Sequence, residues 1–192
     1  IEGFAGYIDG SQYVAEGLPL YTYYIRDFAG VGENGESLWY MDETDKDGNV
    51  TGKTTTSDYN KATRYLQDST MPDLYGGFST GLSFYGVDLS VSFTYQLGGL
   101  VYDSGYAHFM ASPYSSLVGS NYHKDILNSW SADNTESNIP RLQYGDEYTT
   151  ATSDRFLTSA SYLNIQNINL GYTFREIGNW GGNIRVAASC QN

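Results

Sequence analysis

The sequence has 192 residues and a formal net charge of −12, with 22 acids against 10 Lys and Arg. That balance excludes nucleic-acid binding, which needs clustered cations to neutralise phosphates, and one cysteine excludes an internal disulfide framework or a cysteine-based zinc site. No run approaches the roughly 18 apolar residues of a membrane helix, while 19 Tyr and 22 Gly beside 4 Pro favour strands and turns.

Residues 1–19 offer little beyond Gly3, Gly6, Gly10 and a few aromatics. Leu20–Ile25 reads as a strand, followed by a loop over Asp27–Glu36, and Ser37–Met41 (SLWYM) as a short return strand. From Asp42 to Asp58 the chain is polar and rich in Gly and Thr, which predicts a loop. Asn60–Gln67 is the best candidate for a short helical turn. The whole of 26–70 is therefore expected to be one long loop.

The strongest periodicity runs from Gly76 to Leu97. One face of its first arm holds Phe78, Thr80, Leu82 and Phe84, and the other Ser79, Gly81, Ser83 and Tyr85. After Gly86, Val87, Leu89, Val91, Phe93, Tyr95 and Leu97 alternate with Asp88, Ser90, Ser92, Thr94 and Gln96. Alternation at period two makes this a strand pair over 76–85 and 87–102 joined by a tight turn. Its polar face carries small hydroxyls and amides with one charge, Asp88. A soluble sheet usually puts Lys and Glu there, whereas a barrel strand with lipid outside and a polar lumen does not.

Residues 103–155 form a second long connection, with a helix expected around Lys124–Trp130. Ser161–Phe174 is the next strand, but its parity shifts. Leu163 and Ile165 share one face, and Ile168, Leu170, Tyr172 and Phe174 the other. A β-bulge near Gln166-Asn167 reconciles them; a strand covered on both faces is the alternative. A turn containing Trp180 leads to a last strand, 183–190. Thirteen of the 22 acids precede residue 76, six lie in 125–154, and none of the residues 156–174 is charged. Acidic connections thus alternate with uncharged strands, as external loops alternate with barrel wall. The first residues, Ile1-Glu2-Gly3, and the strand-like Gln191-Asn192 lead us to expect a fragment, 1–192 being part of a barrel. Its apolar face, through Phe78, Leu82, Phe84, Leu89, Val91 and Phe93, is expected to meet lipid, detergent, loops or a second copy.

Three patterns imitate chemistry. Gly30–Gly35 fits G-x-G-x-x-G, but Ser37–Tyr40 reads as a strand where a phosphate-binding helix is required. Gly77–Gly81 fits G-x-S-x-G, yet the alternation runs straight through Ser79 without the elbow that exposes a nucleophile. Glu43–Gly48 resembles the start of a calcium loop, with Thr54 at the position of the closing Glu, and a solvated Asp-Gly turn is the better reading. No catalytic residue, metal or cofactor follows, and the chain is not expected to be an enzyme. Loop aromatics can stack on a sugar or peptide, so Trp39, Tyr40, Tyr114, Tyr122, Trp130 and Tyr144 are the candidate substrate contacts.

Three stretches in order resemble a known family: Glu16–Asn49 (EGLPLYTYYIRDFAGVGENGESLWYMDETDKDGN), Met71–Asp103 (MPDLYGGFSTGLSFYGVDLSVSFTYQLGGLVYD) and Asp154–Phe174 (DRFLTSASYLNIQNINLGYTF). They are similar to the C-terminal barrel region of the SusC/RagA family of TonB-dependent transporters in the outer membrane of Bacteroidetes. The resemblance implies an all-β fold: antiparallel strands of a transmembrane β-barrel, long extracellular loops and little helix. It also implies import of oligosaccharides or peptides with a SusD-like surface lipoprotein, driven by TonB through a plug outside this sequence, with outer-membrane lipid around the wall. The rival is a soluble, secreted β-sandwich that binds glycans through its Trp and Tyr loops; it predicts more charge on 78–97 than is present.

Overall fold

The computed structural model describes residues 6–111, 119, 121–146, 148–177 and 181–192. These form two compact units, one from Ile1–Thr70 and Leu100–Thr158, the other from Met71–Gly99 and Ser159–Asn192.

The first unit is a set of small antiparallel sheets around several buried side chains. A hairpin of β1 (Tyr7–Asp9) and β2 (Gln12–Val14) extends through β3 (Thr22–Arg26) to β7 (Arg64–Ser69). Between the last two, β4 (Phe28–Val31), β5 (Ser37–Thr44) and β6 (Val50–Thr56) make a three-stranded sheet. The expectation of one loop over 26–70 is therefore corrected. Asp42–Asp58 is mostly a β5–β6 hairpin whose turn is built by Asp45, which accepts from the Asp47 and Asn49 amides at 2.9 Å each. Thr-rich Val50–Thr56 is a strand because β-branched side chains suit a pleated surface. The proposed helical turn over 60–67 also fails: from Arg64 onward the chain pairs with β3. The 103–155 connection carries α1 (Ser104–Phe109), capped by Asp103 accepting from the Tyr106 amide, and a 3-10 turn over Lys124–Asn128 in place of a longer helix. Ala107, Met110 and Phe156 form its core, with Tyr102, Tyr106, Ile126 and Ile139 packed around them. Next to this core β10 (Leu100–Tyr102) pairs with β11 (Leu157–Ser159), so the expected strand 87–102 is two strands, divided at Gly98-Gly99.

The second unit is one four-stranded antiparallel sheet in the order β13 (Gly182–Gln191), β12 (Tyr162–Ile177), β9 (Val87–Leu97), β8 (Leu74–Phe84). Tyr85 and Gly86 form the two-residue turn between β8 and β9, both with positive φ (47° and 85°). That combination is the type I′ geometry whose twist matches a right-twisted hairpin. Register then aligns the apolar residues across all four strands: Phe78 faces Phe93, Leu82 faces Leu89, Leu89 faces Leu170, and Leu170 faces Ala188. The parity change in β12 is a bulge. Ile165 pairs with Phe93 and Asn167 with Ser92, leaving Gln166 as the extra residue. This one insertion returns Leu163 and Ile165 to the face of Ile168 and Leu170. The turn bearing Trp180 lies outside the described residues. Strands of 11 residues span roughly 36 Å at about 3.3 Å per residue, enough for a tilted crossing of a bilayer core.

Candidate functional site

Two kinds of surface carry chemistry: the faces of the four-stranded sheet and the clefts of the first unit. On the sheet, one face is almost wholly apolar and largely exposed, with Phe78 52%, Leu82 71%, Phe84 73% and Leu163 67% accessible. The phenyl rings of Phe78 and Phe93 stack at 4.6 Å. Phe84, Tyr85, Tyr172 and Phe174 gather aromatic surface near the β8–β9 turn.

The opposite face is a ladder of polar side chains that bond across strands. Ser79 and Ser92 hydroxyls lie 3.0 Å apart, Gln166 Nε2 donates to Thr94 Oγ1 at 3.1 Å, and Asn169 Nδ2 donates to Ser90 Oγ at 3.3 Å. Ser79 is thus an ordinary member of the ladder. The charges on this ladder pair with each other: Arg185 Nε donates to Asp88 Oδ1 at 3.2 Å and its Nη2 to Asp88 Oδ2. The pair reaches over β12, where a Cβ at Gly171 would fall 2.5 Å from Arg185 Nη2 and 2.7 Å from Asp88 Oδ2. Glycine is what lets the bridge cross an intervening strand.

In the first unit, Trp39 is 1% exposed. Tyr59 and Tyr148 meet its ring edge-to-face at 5.3 and 6.0 Å and stack on each other at 5.8 Å. Trp39 therefore packs the unit and presents no surface to a ligand, which corrects its expected role. Tyr40, its neighbour on β5, lies under Lys53 Nζ at 4.2 Å; the same ammonium sits 3.9 Å from the Tyr65 ring centre and 3.2 Å from Asp27 Oδ2. The two rings and the carboxylate make a cage that the protein's own lysine fills. Tyr65 donates to Asp42 at 2.6 Å, and burial together with that bond pushes its phenol up to about 12.

Trp130 is half-buried against the β4–β5 turn, where a Cβ on Gly35 would lie 2.5 Å from its ring. Tyr122 is half-buried, Tyr144 is 68% exposed, and Tyr114 lies outside the described residues. The five expected contacts among the described residues do not converge on one place. Instead, two clefts are lined by residues that the aromatic count passed over. The first, about 460 Å³, is bordered by Gln12, Tyr23, Arg26, Tyr59, Arg64 and Tyr102. The second, about 690 Å³, includes Phe28, Tyr106, Asp125, Asn138 and Arg155. There the Tyr106 hydroxyl donates to Asp125 at 3.1 Å, and burial, aided by that carboxylate, raises the phenol. Burial lowers Arg155 to about 10, while its guanidinium lies 5.1 Å from the rings of Phe28 and Phe156. The visible signal for these arginines was their rarity in an acidic chain. The glycine run at 30–35 leads into strand β5, without the helix that phosphate binding needs. Asp45 is held below the usual carboxylate range by Asn49 and spends its oxygens on its own turn.

No family model matches the chain. It is 23% identical over 195 residues to TonB-dependent receptor P3 of Formosa agariphila, covering 95% of this chain and 18% of that protein. Among solved structures it matches the RagAB peptide importer in its closed-closed state with a TM-score of 0.76 and 30% identity, over 99% of this chain and 21% of the other. A further structure of the RagAB peptide transporter matches with a TM-score of 0.72 and 26% identity, over 99% and 22%. The chain thus spans about a fifth of the length of the proteins it matches.

Proposed function

We propose, from the premise that the chain is a SusC/RagA-type segment of a TonB-dependent transporter at the outer membrane, that it supplies wall strands and external loops to an importer of peptides or oligosaccharides. The observation that carries this reading is the two-faced sheet of the second unit. Its exposed apolar face suits hydrocarbon, and its hydroxyl and amide face, whose Asp88 and Arg185 pair with each other, suits a wet lumen. A soluble glycan-binding sandwich buries such a face against a second sheet, whereas here Leu82, Phe84 and Leu163 are exposed.

In this reading β8, β9, β12 and β13 are four adjacent strands of a barrel of roughly 22. Their short connections face the periplasm, and the segments 26–70 and 103–155 are the external side. The polar ladder lines the path, offering hydrogen bonds without a strong charge that would trap a substrate. Tyr40, Tyr122, Trp130 and Tyr144 remain the aromatic residues proposed to meet substrate, with Tyr144 the most accessible. A SusD-like lipoprotein would close over the external side, and TonB would act on a plug supplied elsewhere in the receptor. Peptide is favoured by the RagAB importers, and oligosaccharide is the alternative.

The test is fractionation of the full receptor that carries this chain. We expect recovery in the outer-membrane fraction and release only by detergent. Recovery as an aqueous particle without detergent overturns the reading.

A further inference from the structure

The first cleft holds an arrangement that the polypeptide alone does not explain. Arg26 on β3 and Arg64 on β7 stand directly opposite each other in the antiparallel register. Opposed residues share a face with Cβ atoms about 5 Å apart, and like charges in that position repel. Three other cations meet a carboxylate where they stand: Lys53 with Asp27, Lys61 with Asp58, and Arg185 with Asp88. Neither Arg26 nor Arg64 has a carboxylate within ion-pair distance among the described residues, in a chain carrying −12.

Both guanidiniums are nevertheless held in place. Arg26 lies over the Tyr59 ring at 4.1 Å and donates from Nε to the Ala62 carbonyl at 3.2 Å. Arg64 donates from Nη1 to the Gly10 carbonyl at 3.2 Å. Tyr59 is fixed in turn by its hydroxyl, which donates to the Thr152 carbonyl at 2.8 Å. Both arginines line a cavity of about 460 Å³ whose described lining contains no acid. Tyr23, Tyr59 and Tyr102 supply its aromatic walls. Two oriented arginine forks beside an open volume are a receptor for a planar anion, since guanidinium matches carboxylate through paired N–H bonds.

We propose that the Arg26–Arg64 cleft binds a carboxylate of the transported molecule, an acidic peptide side chain or C-terminus, with the tyrosines stacking against the adjoining atoms. The inference rests on the importer reading and deepens it by naming a substrate class. Anion binding relieves the repulsion between the two arginines, so affinity is tied to negative charge on the ligand.

The experiment uses the detergent-solubilised full receptor. Its probes are a glutamate-rich peptide, the same peptide with Gln for Glu and an amidated C-terminus, and a uronate oligosaccharide. We expect the acidic peptide to bind at least tenfold more tightly than the neutral one. In an Arg26→Gln, Arg64→Gln receptor that difference should disappear, the acidic peptide then binding no more tightly than the neutral one. The Arg64→Gln change alone should leave the unfolding temperature equal or higher, because it removes one of two like charges; a merely structural arginine would lower it. Equal affinity of the wild type for acidic and neutral peptides, or a preference that survives the double substitution, overturns the proposal. So does binding of the uronate oligosaccharide in place of the peptide. A receptor that binds acidic peptide through Arg26 and Arg64 but fractionates without membrane would keep this cleft and overturn the importer reading instead.

Discussion

The two units of this chain solve the burial problem in opposite ways. All the buried hydrophobic side chains among the described residues, from Tyr23 and Ile25 to Met110 and Phe156, belong to the first unit. The second unit has none, and each residue of β13 is exposed. The first unit turns Tyr23, Trp39 and Phe156 inward and ties its loops with side-chain hydrogen bonds. The second orders its apolar residues just as strictly but onto an outer face. Regular patterning without burial means that the surroundings complete the fold.

Substitutions should separate the two solvents. The largest effect is expected for Trp39→Ala, which removes a buried ring packed edge-to-face against the Tyr59–Tyr148 stack and should cost about 3–5 kcal/mol. Denaturant unfolding would register it in the first unit, while membrane fractionation stays normal. Next is Leu170→Arg, on the apolar face of the central strand β12, expected to cost about 2–4 kcal/mol near the bilayer midplane and to lower the yield of assembled receptor. Its partner on the polar face, Ser90→Arg, should assemble normally. Equal damage from both arginines would break the contrast between the faces. Gly171→Leu would force apart the Asp88–Arg185 bridge and should cost about 1–3 kcal/mol through overpacking. Asp88→Asn, which removes the exposed pair without crowding, should cost no more than about 1 kcal/mol; comparing their thermal unfolding separates space from charge.

The smallest effect is a pH dependence confined to the first unit. Tyr65 has a folded pKa of about 12 against the usual 10.0. The unfolded chain therefore loses this proton first, so stability is unaffected below about pH 10 and declines as pH rises towards 12. In Tyr65→Phe that share of the alkaline decline should vanish. An unchanged titration of stability would show that Tyr65 is not coupled to folding.

The sheet was legible in the sequence because its information is local. Period-two alternation from Phe78 to Leu97 fixes both faces, and the parity break around Gln166 announces its own bulge. The first unit was less legible for the converse reason. Its hairpin over Ser37–Thr56 is written in Asp, Gly and Thr, the composition of a loop, and only pairing between strands makes it a sheet. Trp39 looked available because its covering rings, Tyr59 and Tyr148, come from distant parts of the chain. The same distance hid the Arg26–Arg64 pairing, which exists only once β3 meets β7. Tyrosine in a loop says that a ring is present, and tertiary structure decides which way it faces.

The single extra residue at Gln166 has a consequence for how such chains evolve and are compared. It acts as a phase-shifter, splicing two half-strands whose odd and even positions have exchanged meaning. An alignment drawn without a gap there would match Leu163 and Ile165 to lumen positions of a bulge-free relative and report a loss of hydrophobicity that never occurred. Deleting Gln166 would do physically what that alignment does on paper, rotating the upper half of β12 so that its leucine and isoleucine enter the channel and Asn164 meets the lipid. One residue can therefore carry more of the wall's specification than the average hydropathy of the strand that contains it.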